Sequence, residues 1–147
     1  DGQINTQEFL AQAHEQSQYT IYGLIDAALF GNAIQVNKIY STLLNNTAMP
    51  IQLSSSLYRE MKSIINMSIE IHQGNDINSI LQTHCIWNKR KPVITNILKR
   101  HPYQRLQKLL LSLGRIDRSI KGMDNLNVVD ELHTLLLNLA GKNQWAQ

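Results

Sequence analysis

Apolar residues recur at intervals of three and four through most of the chain, the spacing that lines them up on one face of an α-helix. In "YTIYGLIDAALFGN" (residues 19–32), Ile21, Leu24, Ile25, Ala28 and Leu29 form such a stripe. Thr20 stands where a side-chain oxygen can accept from the first free N–H groups, and Gly31 offers the positive φ that ends a helix. Asn32 can cap a second helix with the stripe Val36, Ile39, Tyr40, Leu43 and Leu44, which stops at "NNTAM". Pro50 suits the first turn of a third helix, since its missing N–H belongs to a group unpaired there anyway, and Gly74 ends it. That helix has about 24 residues and spans ~36 Å. Its stripe of Leu53, Leu57, Met61, Ile64, Ile65 and Ile71 is joined by Tyr58, Met67 and Ile69 on other faces, which predicts a central helix packed from several sides.

Further along, Asp76 can cap a short helix through Leu81, and another runs from Asn88 or Lys91 to Arg100 with Pro92 in its first turn. His101-Pro102 closes it. From Pro102 a helix of about five turns carries Tyr103, Leu106, Leu110, Leu113 and Ile120 inward as far as Gly122. After the loop "MDNLN", a last helix from Val128 to Ala140 places Val129, Leu132, Leu135, Leu136 and Leu139 on one side and stops at Gly141. A short piece capped by Thr6 and ending near Glu15 is peripheral, and the tail "KNQWAQ" is loose. The pattern predicts an all-α fold, a compact bundle of about seven or eight helices. Its expected division is a short helix and connection over 1–17, the helical domain over 18–141 and a flexible tail over 142–147.

A chain of 147 residues with 43% apolar and 17% charged residues can close one core, as a soluble globular domain does. The formal net charge of +3 is small, yet its distribution is uneven. Between Asp76 and Asp117 stand Lys89, Arg90, Lys91, Lys99, Arg100, Arg105, Lys108 and Arg115, with no carboxylate among them. Such a stretch could contact phosphates and release counterions, with Trp87 stacking on a base. The same residues are also compatible with a solvated or subunit-facing surface. Lys89, Arg90 and Lys91 would fan around a helix, Lys99 and Arg100 suit the negative end of a helix dipole, and a tryptophan at a helix entrance commonly anchors a core or an interface. The residues alone leave both readings open.

Reactive chemistry is sparse. Cys85 is alone, which excludes an intrachain disulfide and a cysteine metal cluster and points to the cytoplasm. No run approaches the ~20 apolar residues that cross a bilayer, and "DGQINTQEFLAQ" lacks the regions of a signal peptide. "HEQSQ" at His14 has Gln18 where a zincin needs its second histidine, and the adjacent His84 and Cys85 diverge by about 100° on a helix. There is no phosphate loop, dinucleotide fingerprint or nucleophile elbow, and Glu60 and Glu70 read as solvated. The expectation is no catalytic residue, no metal and no cofactor.

Four blocks, "YTIYGLIDAALFGN" (19–32), "IWNKRKPVI" (86–94), "RIDRSIKG" (115–122) and "ELHTLLLNLAG" (131–141), match in order and spacing the C-terminal part of the bacterial DNA polymerase III delta subunit. The chain resembles that family over essentially its whole length, and "DGQINTQEFLAQA" is similar to the last helix of the family's middle, lid-like domain. The matching positions include Asp26, Gly31, Trp87, Arg90, Asp117 and Lys121. The resemblance implies a collar domain of the sliding-clamp loader, with no intrinsic activity, inside a parent complex that is a DNA-directed DNA polymerase. Implied partners are the delta-prime and tau/gamma type subunits through the collar, and the sliding clamp through an N-terminal domain outside this sequence. DNA contact is secondary, and Trp87, Lys89, Arg90, Lys91, Lys99, Arg100, Arg105 and Lys108 form the surface expected to face neighbouring subunits or DNA.

Overall fold

In the computed structural model, whose described residues are 19–141, the stripes fold as seven α-helices. They are α1 (Ile21–Phe30), α2 (Ala33–Leu43), α3 (Met49–His72), α4 (Ile77–Thr83), α5 (Lys91–Arg100), α6 (Tyr103–Ile120) and α7 (Val128–Leu139). No strand occurs among the described residues, so the fold is all-α. The expected helix between Thr6 and Glu15 and the tail from residue 142 lie outside the described residues.

Local chemistry sets the helix ends. Thr20 Oγ1 accepts the Gly23 N–H at 3.1 Å, and Asn32 Oδ1 accepts the Gln35 N–H at 3.1 Å, so each satisfies an orphan donor of a first turn. Between them Gly31, at φ 95°, turns the chain in a two-residue link, and the α1–α2 hairpin follows from it. Asp76 caps α4 through the Ser79 N–H at 3.2 Å. Pro50 sits in the first turn of α3, which has 24 residues.

As its surplus of apolar residues predicts, α3 is central: it lies along α6 and also touches α1, α4, α5 and α7. Leu53, Leu57, Met61, Ile64 and Met67 on α3 are almost wholly buried, against Leu24, Ile25 and Leu29 of α1 and Ile94 and Ile97 of α5. Three expectations need correction. On α6 the inward stripe is Leu106, Leu109, Leu113 and Ile116, while Leu110 and Ile120 are only partly buried, because three consecutive leucines at 109–111 leave the helix phase undetermined. Val129 and Leu44 lie at the exposed rim of the α2–α7 contact instead of inside it. Trp87 is not a core anchor: it is 77% exposed, in the turn before α5.

Candidate functional site

Arg115 Nε lies 3.5 Å from Asp124 Oδ2, and the other seven cations of the acid-free stretch divide into two groups. Arg90 points inward, with Nη2 at 2.8 Å from Asp26 Oδ1 of α1 and Nη1 at 3.0 Å from Glu60 Oε1 of α3. Burial alone would lower its pKa, but the two carboxylates, Asp26 first, outweigh that and hold it above the ordinary arginine value. Glu60 is therefore a structural partner and not a solvated acid, and Glu70 likewise pairs with His84 Nε2 at 3.1 Å. Arg100 lies across the ends of two helices. Its Nη2 donates to the carbonyls of Ala28 at 3.2 Å, Leu29 at 2.9 Å and Leu139 at 2.8 Å, and Nη1 bonds Asn96. These are the negative ends of α1 and α7, where a fixed cation is favoured. Burial lowers the Arg100 pKa, and its Nε is buried without a partner. Beside it His101 is buried with Nε2 at 2.9 Å from the Leu139 carbonyl, its pKa lowered chiefly by that burial.

The second group is free. Lys89, Lys91, Lys99, Arg105 and Lys108 make no ion pair among the described residues, and Lys89, Lys99 and Lys108 are exposed. Lys89 and Lys91 flank the anchored Arg90 in a turn closed by the Trp87 carbonyl, which accepts the Arg90 N–H at 2.9 Å and the Lys91 N–H at 3.1 Å. The six positions that carried the family resemblance also sort themselves. Asp26 pairs with Arg90, Gly31 underlies Arg100, and Asp117 pairs with Lys121 at 2.8 Å across one turn of α6. Of the six, Trp87 and Lys121 are exposed.

A second feature escaped the sequence reading. Tyr22 and Phe30 border a shallow groove between α1 and α2 that also contains Asp26 and Gln35. Tyr22 then shares a groove with Ile51, Ser55 and Arg59 of α3. Ser55 and Arg59 continue into a groove between α3 and α6 with Tyr58, Gly114, Asp117 and Lys121. Tyr58 and Gly114 open in turn onto Leu111, Arg115 and Arg118. The result is an unbroken band across α1, α3 and α6 on which Tyr22, Phe30, Ile51, Tyr58 and Leu111 are exposed. Their signal in the sequence is positional: each is a large apolar residue off the inward phase of a helix whose core stripe is already filled. Tyr58 alone was singled out that way. Among the described residues no group of three His, Cys, Asp or Glu side chains could hold a metal ion.

The fold and surface therefore define an all-helical domain whose half-buried arginines tie helices together and whose exposed features are large apolar side chains along α1, α3 and α6 and a basic turn. The family described as processivity clamp loader gamma complex DNA pol III C-term matches residues 21–145, and the chain belongs to it. Within that family it is of the DNA polymerase III delta C-terminal kind. The DNA polymerase III subunit delta of Haemophilus influenzae is 24% identical over 129 residues, which cover 82% of this chain and 38% of that relative. The chain thus spans well under half the length of the curated relative that it matches. No helix among the described residues is long and apolar enough to cross a membrane.

Proposed function

We propose that the domain formed by residues 18–141 is a non-catalytic collar that joins a delta-type subunit to its neighbours in the clamp loader. The exposed apolar band carries this reading. Five large exposed apolar side chains on three helices border neighbouring grooves that share lining residues, and apolar groups clustered in that way on a surface suit a protein interface. Durable assemblies bury on the order of 2,000 Å² or more per interface, so partners on this face would cover residues of α1, α3 and α6 together. Membership of a clamp-loader family fits partners of the delta-prime and tau/gamma type. Contact with the sliding clamp, and the polymerase chemistry of the parent complex, belong in this reading to other parts of that cytoplasmic machinery.

The test is reconstitution. The chain and variants Tyr58→Glu and Leu111→Glu, each shown by circular dichroism to keep its helix content, are mixed with the remaining loader subunits and the complex masses measured. The wild-type chain enters the complex, and each charge on the band reduces its incorporation at least ten-fold. Failure of the folded wild-type chain to join, or full incorporation of both variants, defeats the reading.

A further inference from the structure

We infer that the groove between α3 and α6 takes a carboxylate-bearing amphipathic segment of a neighbouring protein; this rests on the assembly reading and names the chemistry of the partner on that face. Small residues open the groove. Ser54 of α3 is buried beneath it, and a Cβ added to Gly114 of α6 would meet only the Arg118 guanidinium, at 3.7 Å. The walls combine apolar and cationic groups. Tyr58 and Leu111 are exposed there, Leu111 at 74%. Arg59, Arg115, Arg118 and Lys121 line the same two adjoining hollows, and Lys62 Nζ lies 5.5 Å from the centroid of the Tyr58 ring. Two carboxylates meet these cations, and both are engaged within the domain: Asp117 with Lys121 at 2.8 Å, and Asp124 with Arg115 at 3.5 Å. Arg59 and Arg118 make no ion pair among the described residues.

The combination of uncompensated guanidinium groups with exposed apolar side chains selects the occupant. Covering the apolar groups takes water from Arg59 and Arg118 as well, a cost offset only by an anion at matched positions. Guanidinium binds a carboxylate through two parallel hydrogen bonds, and a helix lying in a groove presents apolar residues at every third or fourth position with acids between them. Such a segment satisfies both parts of the wall at once. A nucleic-acid backbone would set phosphates against Leu111, and one face of the Tyr58 ring is already taken by Lys62. A second copy of this chain, with a net charge of +3, is a poor source of the missing carboxylates.

The experiment is carbodiimide crosslinking of the full chain mixed with the remaining loader subunits, read by mass spectrometry. The reagent joins an amine to a carboxylate in direct contact, and Arg59→Lys and Arg118→Lys place amines in the groove while keeping its charge. Both introduced amines become bonded to Asp or Glu side chains of one segment of another subunit, with apolar residues between those acids. Arg59→Glu with Arg118→Glu lowers incorporation about ten-fold and leaves what remains less sensitive to salt than the wild type. Gly114→Leu fills the groove and abolishes the crosslinks. Because it replaces a helix-interior glycine with a stronger helix former, its thermal midpoint stays level or rises, which a folding defect does not produce. A wild-type chain that stays out of the complex defeats the assembly reading and this one with it. A chain that enters defeats this one alone in any of three cases. The introduced amines form no crosslink, or bond only to a second copy of the chain. The doubly reversed variant enters as well as the wild type. The chain by itself binds an oligonucleotide and loses it on that double reversal, which would give the groove to phosphates.

Discussion

Arg100 Nη2 donates to the Leu139 carbonyl at 2.8 Å, and with His101 Nε2 on the same carbonyl it joins the end of α5 to the end of α7. The same nitrogen reaches Leu29 and Ala28 at the end of α1, so one guanidinium closes three helices. Replacing it removes the Leu29 carbonyl's side-chain donor, while the Leu139 carbonyl keeps His101 and the Ala28 carbonyl keeps the Gly31 N–H. Arg100→Met is expected to cost about 1.5–3 kcal/mol, the range for hydrogen bonds made by a charged donor. Arg100→Lys recovers less than half, since an ammonium cannot reproduce the planar fork. Urea titrations followed by circular dichroism check both, and a loss under 1 kcal/mol for Arg100→Met would show that the carbonyls are satisfied without it.

Gly31 is expected to tolerate alanine far worse than Gly74, although both have positive φ, 95° and 98°. A Cβ on Gly31 would lie 2.8 Å from Arg100 Nη1, whereas a Cβ on Gly74 meets nothing within 4 Å. Gly74→Ala should cost only the left-handed backbone penalty, about 1–2 kcal/mol. Gly31→Ala adds the displacement of Arg100, and that excess should vanish when Arg100 is already methionine. A double-mutant cycle on melting free energies measures it. Additive losses would mean that the guanidinium moves aside freely.

Arg90 is half-exposed, as are Asp26 and Glu60, so its two ion pairs are screened. Arg90→Met should cost about 1 kcal/mol in dilute buffer and less in 1 M salt. Arg90→Asp should cost more, because a third carboxylate then faces the other two. Equal losses for the two substitutions, compared by thermal melts at both salt concentrations, would remove the electrostatic account of this contact.

The helix ends were readable because capping is local: Thr20, Gly31, Asn32 and Asp76 act within three or four residues of themselves. The burial of α3 was readable too, since its apolar positions exceed a single stripe. The phase of α6 was not, because Leu109, Leu110 and Leu111 satisfy more than one inward face. Arg90 and Arg100 looked alike in a run of cations, yet their partners lie 64 and about 70 positions away, and nothing near them in the chain encodes an inward guanidinium. The apolar band was hidden for the same reason. It is assembled from single residues on three helices, and a stripe analysis treats each as an isolated exception.

Tyr40 gives the domain an alkaline limit. Its hydroxyl donates to the Val129 carbonyl at 2.5 Å, and its ring stacks on His133 with centroids 5.1 Å apart, so the phenol helps bind α2 to α7. Burial first, and the Asp130 carboxylate second, push its pKa up to about 12. A folded-state pKa above the unfolded value of about 10 means that the protonated phenol stabilises the fold. That contribution is complete below pH 10 and is lost as pH rises through 12, the folded-state value. The loss attributable to this residue should be of the order of 2 kcal/mol. Tyr40→Phe costs about 1 kcal/mol at neutral pH through the missing hydrogen bond, but has no phenol to ionise. Its stability should therefore fall less steeply than the wild type between pH 10 and 12, and the two curves should approach and cross in that interval. Parallel curves in urea titrations over that interval would place the alkaline loss elsewhere in the protein.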